Sequence, residues 1–291
     1  MNHSLLKGFK IFIFFAGILL LFNSCKSRLY HESINTYPES KLNWKLGAQA
    51  YTFNRFTFFE AIDKIDSSEL KYVEAFPSQN VGGGIAGKMD FKMDESKRRL
   101  ILEKLKEKGV KLQAYGVVKI NDASEWRQVF EFCKFMGVET ITAEPKIEDL
   151  PLLSQLCDEY EINVAIHNHP TPSQYWNPDA VLSALEGQSK RIGAAADVGH
   201  WIRSGLDPIE SLKKLEGRVL HLHLKDLNEK NNRKAHDVVW GTGISDIEAI
   251  VMELKRQKFK GMISVEYEYN WLHNRAEVAQ SVSYFRSLIR N

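Results

Sequence analysis

The chain has 291 residues and a formal net charge of +2. Lys7 and Lys10 are the only charged residues before Cys25, so everything from Cys25 onward is formally neutral. A neutral balance gives no reason to expect nucleic acid or an anionic surface as a partner.

The chain opens on a targeting segment, residues 1–24. Lys7 and Lys10 give it a positive start, and Ile11 to Phe22 is an apolar run of 12 residues. A bilayer core needs roughly 20 apolar residues, so this run suits a signal peptide rather than a membrane-spanning helix. Leu21-Phe22-Asn23-Ser24-Cys25 resembles a bacterial lipobox, which makes Cys25 the expected lipidation site and new N-terminus. Residues 25–44 are polar and read as a tether. The expected product is a membrane-anchored lipoprotein of the bacterial cell envelope, touching the membrane through its lipid alone.

From Lys45 to the end, about 250 residues suit one domain. Short apolar strand-like runs alternate there with amphipathic helical segments. The strands are Leu46–Phe53, Tyr72–Phe76, Lys111–Val118, Glu139–Glu144, Ile162–His169, Ile192–Asp197, Arg218–Lys225 and Met262–Glu268. Helical spacing predicts helices over Ser96–Lys108, Trp126–Met136, Leu150–Tyr160 and Ile247–Gln257. Gly109, Gly137, Gly187 and Gly217 sit where helix C-termini would end, and Asn177-Pro178-Asp179 and Asp207-Pro208 read as helix starts. Strict alternation predicts a parallel sheet, and eight units predict a closed (β/α)8 TIM barrel, an α/β fold. Cys133 and Cys157 lie in helix-like segments without metal-ligand spacing and are expected to be buried thiols, with a disulfide the alternative.

Two connections are long, Pro77–Met93 and Asp226–Ser245, and both follow strands. They belong on the C-terminal face, where such barrels carry their sites. Gly241-Thr242-Gly243 in the second lacks the rest of any phosphate fingerprint.

Strand parity identifies the inward side chains. Apolar Ile162, Val164 and Ile166 face the helices, so Asn163, Ala165, His167 and His169 face in. The same rule turns in His221, His223 and Lys225, then Ser264, Glu266 and Glu268, and also Glu144 and Asp197. Glu144, His167, His169, Asp197, His223, Lys225 and Glu266 thus converge from five successive strands, near their C-terminal ends. Barrel interiors are normally branched and apolar, and unpaired buried charge is costly. A divalent cation balances several carboxylates and neutral imidazoles at once, so one metal ion (Mn, Co, Zn or Mg) is expected.

At these residues the chain resembles the xylose isomerase-like barrel superfamily, in its sugar phosphate isomerase/epimerase group, which also includes AP endonucleases, ketose epimerases, inosose dehydratases and dehydroshikimate dehydratases. The resemblance runs from about Trp44 to Ile289. It rests on Ala165-Ile166-His167-Asn168-His169-Pro170, Asp197-Val198-Gly199-His200-Trp201, His221-Leu222-His223-Leu224-Lys225-Asp226, Gly241-Thr242-Gly243-Ile244-Ser245-Asp246 and Ile263-Ser264-Val265-Glu266, in that order. It implies metal ligands at Asp197, His223 and Glu266. His167 stands where the family places a carboxylate and is the expected fourth ligand; Glu144 on the neighbouring strand either supplies the missing carboxylate or serves as a base. The three-metal phosphodiesterase arrangement is not expected, because Glu74 and Val117-Val118 occupy positions that would need His ligands.

The expected chemistry is proton transfer beside a carbonyl, with Glu144 and Glu266 as acid and base and Lys225 stabilising the anion or donating a proton. Gln49, Glu74, His169 and His200 are candidates for binding substrate hydroxyls, and Trp201 and Trp240 for stacking on a sugar face, although packing explains the two tryptophans equally well. The outcome is isomerisation or epimerisation of a non-phosphorylated keto-sugar or polyol, since export argues against sugar phosphates and no Arg/Lys cluster marks a phosphate clamp. Elimination from a 3-keto-glycoside needs the same anion and is the alternative. A non-catalytic sugar-binding lipoprotein is the reading from another class; it predicts an aromatic groove and no metal.

Overall fold

A computed structural model describes residues 37–290; the leader and Cys25 lie outside the described residues. Eight parallel strands close into a barrel: β1 (Lys45–Gln49), β2 (Tyr72–Ala75), β5 (Lys111–Val118), β6 (Thr140–Ala143), β7 (Asn163–His167), β8 (Ile192–Asp197), β9 (Val219–Leu224) and β10 (Met262–Val265). The ring closes where β1 pairs with both β10 and β2. The surrounding helices are α1 (Phe58–Ser67), α2 (Glu95–Lys108), α3 (Trp126–Met136), α4 (Leu150–Tyr160), α5 (Pro178–Ala184), α6 (Val198–Arg203), α7 (Pro208–Lys214), α8 (Ile247–Arg256) and α9 (Arg275–Ile289). Asn177 and Asp207 cap α5 and α7 as their sequences predict. Cys133 and Cys157 are buried free thiols.

The structure differs from the sequence-based expectation at the strand ends. The run Leu46–Phe53 leaves the sheet at Gln49, whose side-chain oxygen caps the Tyr51 amide and starts a 3-10 turn over Ala50–Phe53. The connection after β2 contains an antiparallel hairpin, β3 (Asn80–Gly82) and β4 (Ile85–Lys88), in place of an unstructured loop. At the opposite end of the barrel, Pro38–Leu42 forms a 3-10 turn, and buried Glu39 pairs with Arg286 of α9 at 2.8 Å. The last residues of the stretch read as a tether are therefore docked on the domain.

Between β9 and α8 the chain folds around one side chain. Asp226 Oδ2 accepts from the amides of Gly241 (2.8 Å) and Gly243 (2.9 Å), and Oδ1 from Ser245 (3.0 Å). A Cβ on Gly243 would stand 2.3 Å from Asp226 Oδ1, so the loop closes only with glycine there. The Gly-Thr-Gly segment does cradle an anion, the chain's own Asp226.

Candidate active site

The site is built where β7, β8, β9 and β10 end. Register sets Asp197 beside His223 and His167 beside Ala195, and Ala195 lies beside His221 in turn. With only a methyl at Ala195, there is room for imidazoles on both sides. Glu266 is the first residue past β10. Ligand atoms of His167, Asp197, His223 and Glu266 all lie within 4.8 Å of one another, and all four residues are buried.

Asp197 is held by both neighbours of its strand end. Its Oδ1 accepts from the His200 amide at 2.8 Å and so caps α6, while Asn168 bonds its backbone at both N (2.8 Å) and O (2.9 Å). That leaves Oδ2 aimed into the cluster, 3.6 Å from His167 Nε2, 3.5 Å from His200 Nε2 and 3.8 Å from His223 Nδ1. Glu266 Oε2 is 3.0 Å from His223 Nδ1. Asp197 Oδ2 and Glu266 Oε2 are buried and lack an aligned hydrogen-bond donor. Two imidazole nitrogens, His167 Nε2 and His223 Nδ1, face each other at 3.1 Å. Two imidazole nitrogens and two carboxylate oxygens around one space could hold a divalent ion.

Lys225 is wholly buried and contacts Asp197 Oδ2 (3.0 Å), Glu266 Oε2 (2.8 Å) and Glu268 Oε1 (2.9 Å). Burial alone would favour the neutral amine, but the three carboxylates outweigh it and hold the pKa well above 10.5, so Lys225 is an ammonium. Lys225 alone does not balance the three carboxylates; burial opposes a charge on His223, but Glu74 and Glu266 outweigh it and raise its pKa well above 6.5. Burial raises Glu266, but Lys225 and His223 outweigh it and lower its pKa to about 2. Gly199 makes the close approach possible: a Cβ there would meet the Lys225 stem at 2.7 Å.

Glu74 overturns its expected role. It is 0% exposed and lies beneath the cluster, accepting from Thr142 Oγ1 (2.6 Å) and Ser264 Oγ (3.0 Å) and meeting His221 Nε2 and His223 Nε2 at 2.7 Å each. A carboxylate on the far nitrogen of a ligand histidine fixes the ring's orientation. Glu74 is a support for His223, not a hydroxyl-binding group. Gln49 is corrected likewise: its Nε2 donates to Gly116 O at 2.9 Å and its Oε1 accepts from Tyr51 N, which leaves the side chain no free polar atom at the mouth. Trp201 and Trp240 are buried in packing, Trp240 against Phe285.

Glu144 and His169 form a pair at the rim. Glu144 Oε1 meets His169 Nδ1 at 2.7 Å and accepts from Ser173 Oγ at 3.0 Å; Oε2 pairs with Lys119 at 2.7 Å. Burial opposes ionisation, but His169 and Lys119 outweigh it and push the Glu144 pKa far below the ordinary range. The pair borders the cluster through His167.

Sequence reasoning did not identify Arg203, Asp237 or the supporting role of His221. Arg203 is buried, with Nη1 3.2 Å from His200 Nδ1, Nε on Ala235 O (3.1 Å) and Nη2 on Asp237 Oδ2 (3.1 Å). Parity had already turned His221 inward; nothing in the spacing signalled Arg203, which lies on a helix, or Asp237, which lies in a loop.

Residues 62–288 match the family described as the xylose isomerase-like TIM barrel. This chain belongs to that family. Among its relatives, an inosose dehydratase of Clostridium botulinum is 29% identical over 132 residues, 40% of this chain and 44% of that protein. An inosose isomerase of Bacillus velezensis is 26% identical over 166 residues, 49% and 58% respectively. The chain thus spans about half the length of these relatives. A solved structure of an uncharacterised protein from Parabacteroides distasonis is 35% identical, with a TM-score of 0.70 over 84% of this chain and 99% of that one. A D-psicose 3-epimerase solved with D-fructose shares the fold at 12% identity, with a TM-score of 0.66 over 85% and 100%. The names of the curated relatives therefore cover isomerase and dehydratase.

Proposed function

We propose that this protein is a divalent-metal-dependent enzyme that removes a proton from the carbon next to a carbonyl in a non-phosphorylated keto-sugar or related polyol. The observation that carries the reading is the buried cluster of two carboxylates and two imidazoles, with ligand atoms within 4.8 Å of one another, at the barrel mouth. A divalent ion bound by His167, Asp197, His223 and Glu266 would supply Lewis acidity at the substrate carbonyl. Glu144, kept ionised by His169 and Lys119, is suited to accept the α-proton. Lys225, a fixed ammonium, places positive charge beside the oxygen that becomes negative. His200 and His169 stand at the edge to orient hydroxyls. Return of the proton gives isomerisation or epimerisation; loss of a β-substituent gives elimination, and the family names admit both.

The test is incubation of the metal-loaded protein with keto-sugars in D2O, following the α-proton by NMR. Exchange that vanishes with chelator and returns with Mn or Co is the expected result; no exchange on any keto-sugar or keto-glycoside overturns the reading. We further propose that the protein is anchored through Cys25. Cys25→Ser should move it from the detergent phase to the aqueous phase, and unchanged partitioning would rule the anchor out.

A further inference from the structure

A cleft of about 420 Å³ lies outside the His167–Asp197–His223–Glu266 cluster. It lies beside it, between the loops after β1, β2 and β10, and is walled by Tyr51, Phe76 and Trp271 with Asn54, Arg55 and Asn80 among its polar lining. We propose that this cleft is a second sugar subsite, and that the substrate is a glycoside whose reacting keto unit sits at the cluster while its neighbouring sugar sits here. The proposal rests on the function given above and names its substrate class.

Three observations carry it. First, the cleft is joined to the reaction centre. Thr52 Oγ1 donates to Val265 O (3.2 Å) and accepts from Tyr267 N (3.1 Å), gripping the residues on either side of Glu266. Tyr51, next to Thr52, is the cleft's aromatic wall. Second, the cleft is preformed. Asn274 Nδ2 donates to Thr52 O (2.7 Å) and ties the Trp271 loop to the β1 loop; Gln79 Nε2 donates to Phe56 O (3.1 Å) and ties in the hairpin loop. Ordering costs are thus met before any ligand arrives. Third, its chemistry is that of a pyranose site. Tyr51 stands edge-on to both Phe76 (5.1 Å, 76°) and Trp271 (5.8 Å, 90°), so aromatic surface for C–H faces adjoins polar groups for hydroxyls. Asn54, Arg55, Ser78 and Asn80 supply polar side chains to the cleft's lining. Gln79 is buried with its Nε2 fixed on Phe56 O, so it holds the cleft's floor in place.

A monosaccharide at the cluster leaves this cleft empty; a disaccharide fills both. The test is calorimetric titration of the metal-loaded full domain with methyl α- and β-glucoside, trehalose, maltose, cellobiose and sophorose, and the same panel on Trp271→Ala and Asn80→Ala. At least one disaccharide is expected to bind ten-fold or more tighter than either methyl glucoside. That ratio should fall to two or less in Trp271→Ala and at least halve in Asn80→Ala, with metal content unchanged in both. A wild-type ratio near one for every disaccharide, or a ratio that neither variant lowers, overturns the subsite. Failure of the function itself looks different: disaccharides bind through Trp271, but no keto-sugar exchanges its α-proton.

Discussion

Two buried carboxylates, Asp226 two residues past β9 and Asp197 at the end of β8, illustrate opposite uses of the same group. Asp226 receives three backbone amides, two on one oxygen and one on the other. Asp197 spends one oxygen on a helix cap and turns the other, buried, toward three imidazoles and the Lys225 ammonium, with no backbone amide on it. Buried polar atoms are normally satisfied, so saturation marks Asp226 as architecture. Asp197 Oδ2 and Glu266 Oε2, which meet only side chains, are where the proposed cation would bind.

The sharpest way to break that contrast is to delete each carboxylate. Asp197→Ala should bring metal from about one ion per chain to near zero and lower turnover by at least roughly 10³-fold, the several kcal/mol that a metal contributes to charge stabilisation. Its stability cost should be only about 1 kcal/mol, for the lost cap of α6. Asp226→Ala should do the reverse: keep its metal and lose about 3–5 kcal/mol, since bonds to a charged group are worth about 1.5–3 kcal/mol each and are not additive. That corresponds to a Tm lower by on the order of 10 °C. Elemental analysis and calorimetry on the two variants read both quantities. Metal lost from Asp226→Ala as completely as from Asp197→Ala would erase the distinction.

Glu144 comes next. It is a satisfied carboxylate like Asp226, yet its partners are side chains at the rim, not backbone amides. If it is the base, Glu144→Gln should keep fold and metal while α-proton exchange falls by about 10²–10⁴-fold. Normal exchange in the metal-loaded variant would pass the role to Glu266, since Lys225 is held as an ammonium.

The difference between these carboxylates is partly legible in the sequence. Period-two alternation turned His167, Asp197, His223 and Glu266 inward, and the structure brings all four together. Parity tells direction but not depth. Glu74 and Gln49 also point in, yet they sit where other side chains already occupy them, and only the register of neighbouring strands shows this. The hairpin β3–β4 was hidden because two strands of three and four residues with exposed faces carry no apolar alternation. Arg203 and Asp237 were hidden for a third reason. They reach the site from a helix and a loop, where no two-residue period applies.

Arg203 supplies the finest distinction, through a third buried carboxylate. Asp237 accepts from Arg203 on Oδ2 and has no partner on Oδ1, and burial lifts its pKa to about 7 despite Lys225 and Arg203. Half-satisfied, it lies between Asp226 and Asp197. Its guanidinium partner also faces His200 Nδ1 at 3.2 Å. Arginine has no lone pair to offer and stays protonated, so His200 Nδ1 must be the acceptor and the proton of the neutral ring lies on Nε2. That N–H faces the cluster, 3.5 Å from Asp197 Oδ2. A protonated nitrogen cannot ligate a metal, so on the proposed function His200 would donate a hydrogen bond to substrate and Arg203 would be its positioning residue. Burial, ahead of the pull of Asp197, keeps the ring neutral. Arg203→Met should therefore leave metal content intact while kcat/KM falls by about 10–100-fold, the usual loss when an outer support is removed. The Nδ1 and Nε2 nitrogen shifts of His200 should move toward a tautomer mixture, a change that a merely structural arginine would not cause. Arg203→Lys, which keeps one donor, should restore part of both. If Arg203→Met instead sheds metal as Asp197→Ala does, His200 is a ligand through Nε2 and the tautomer assigned here is the wrong one.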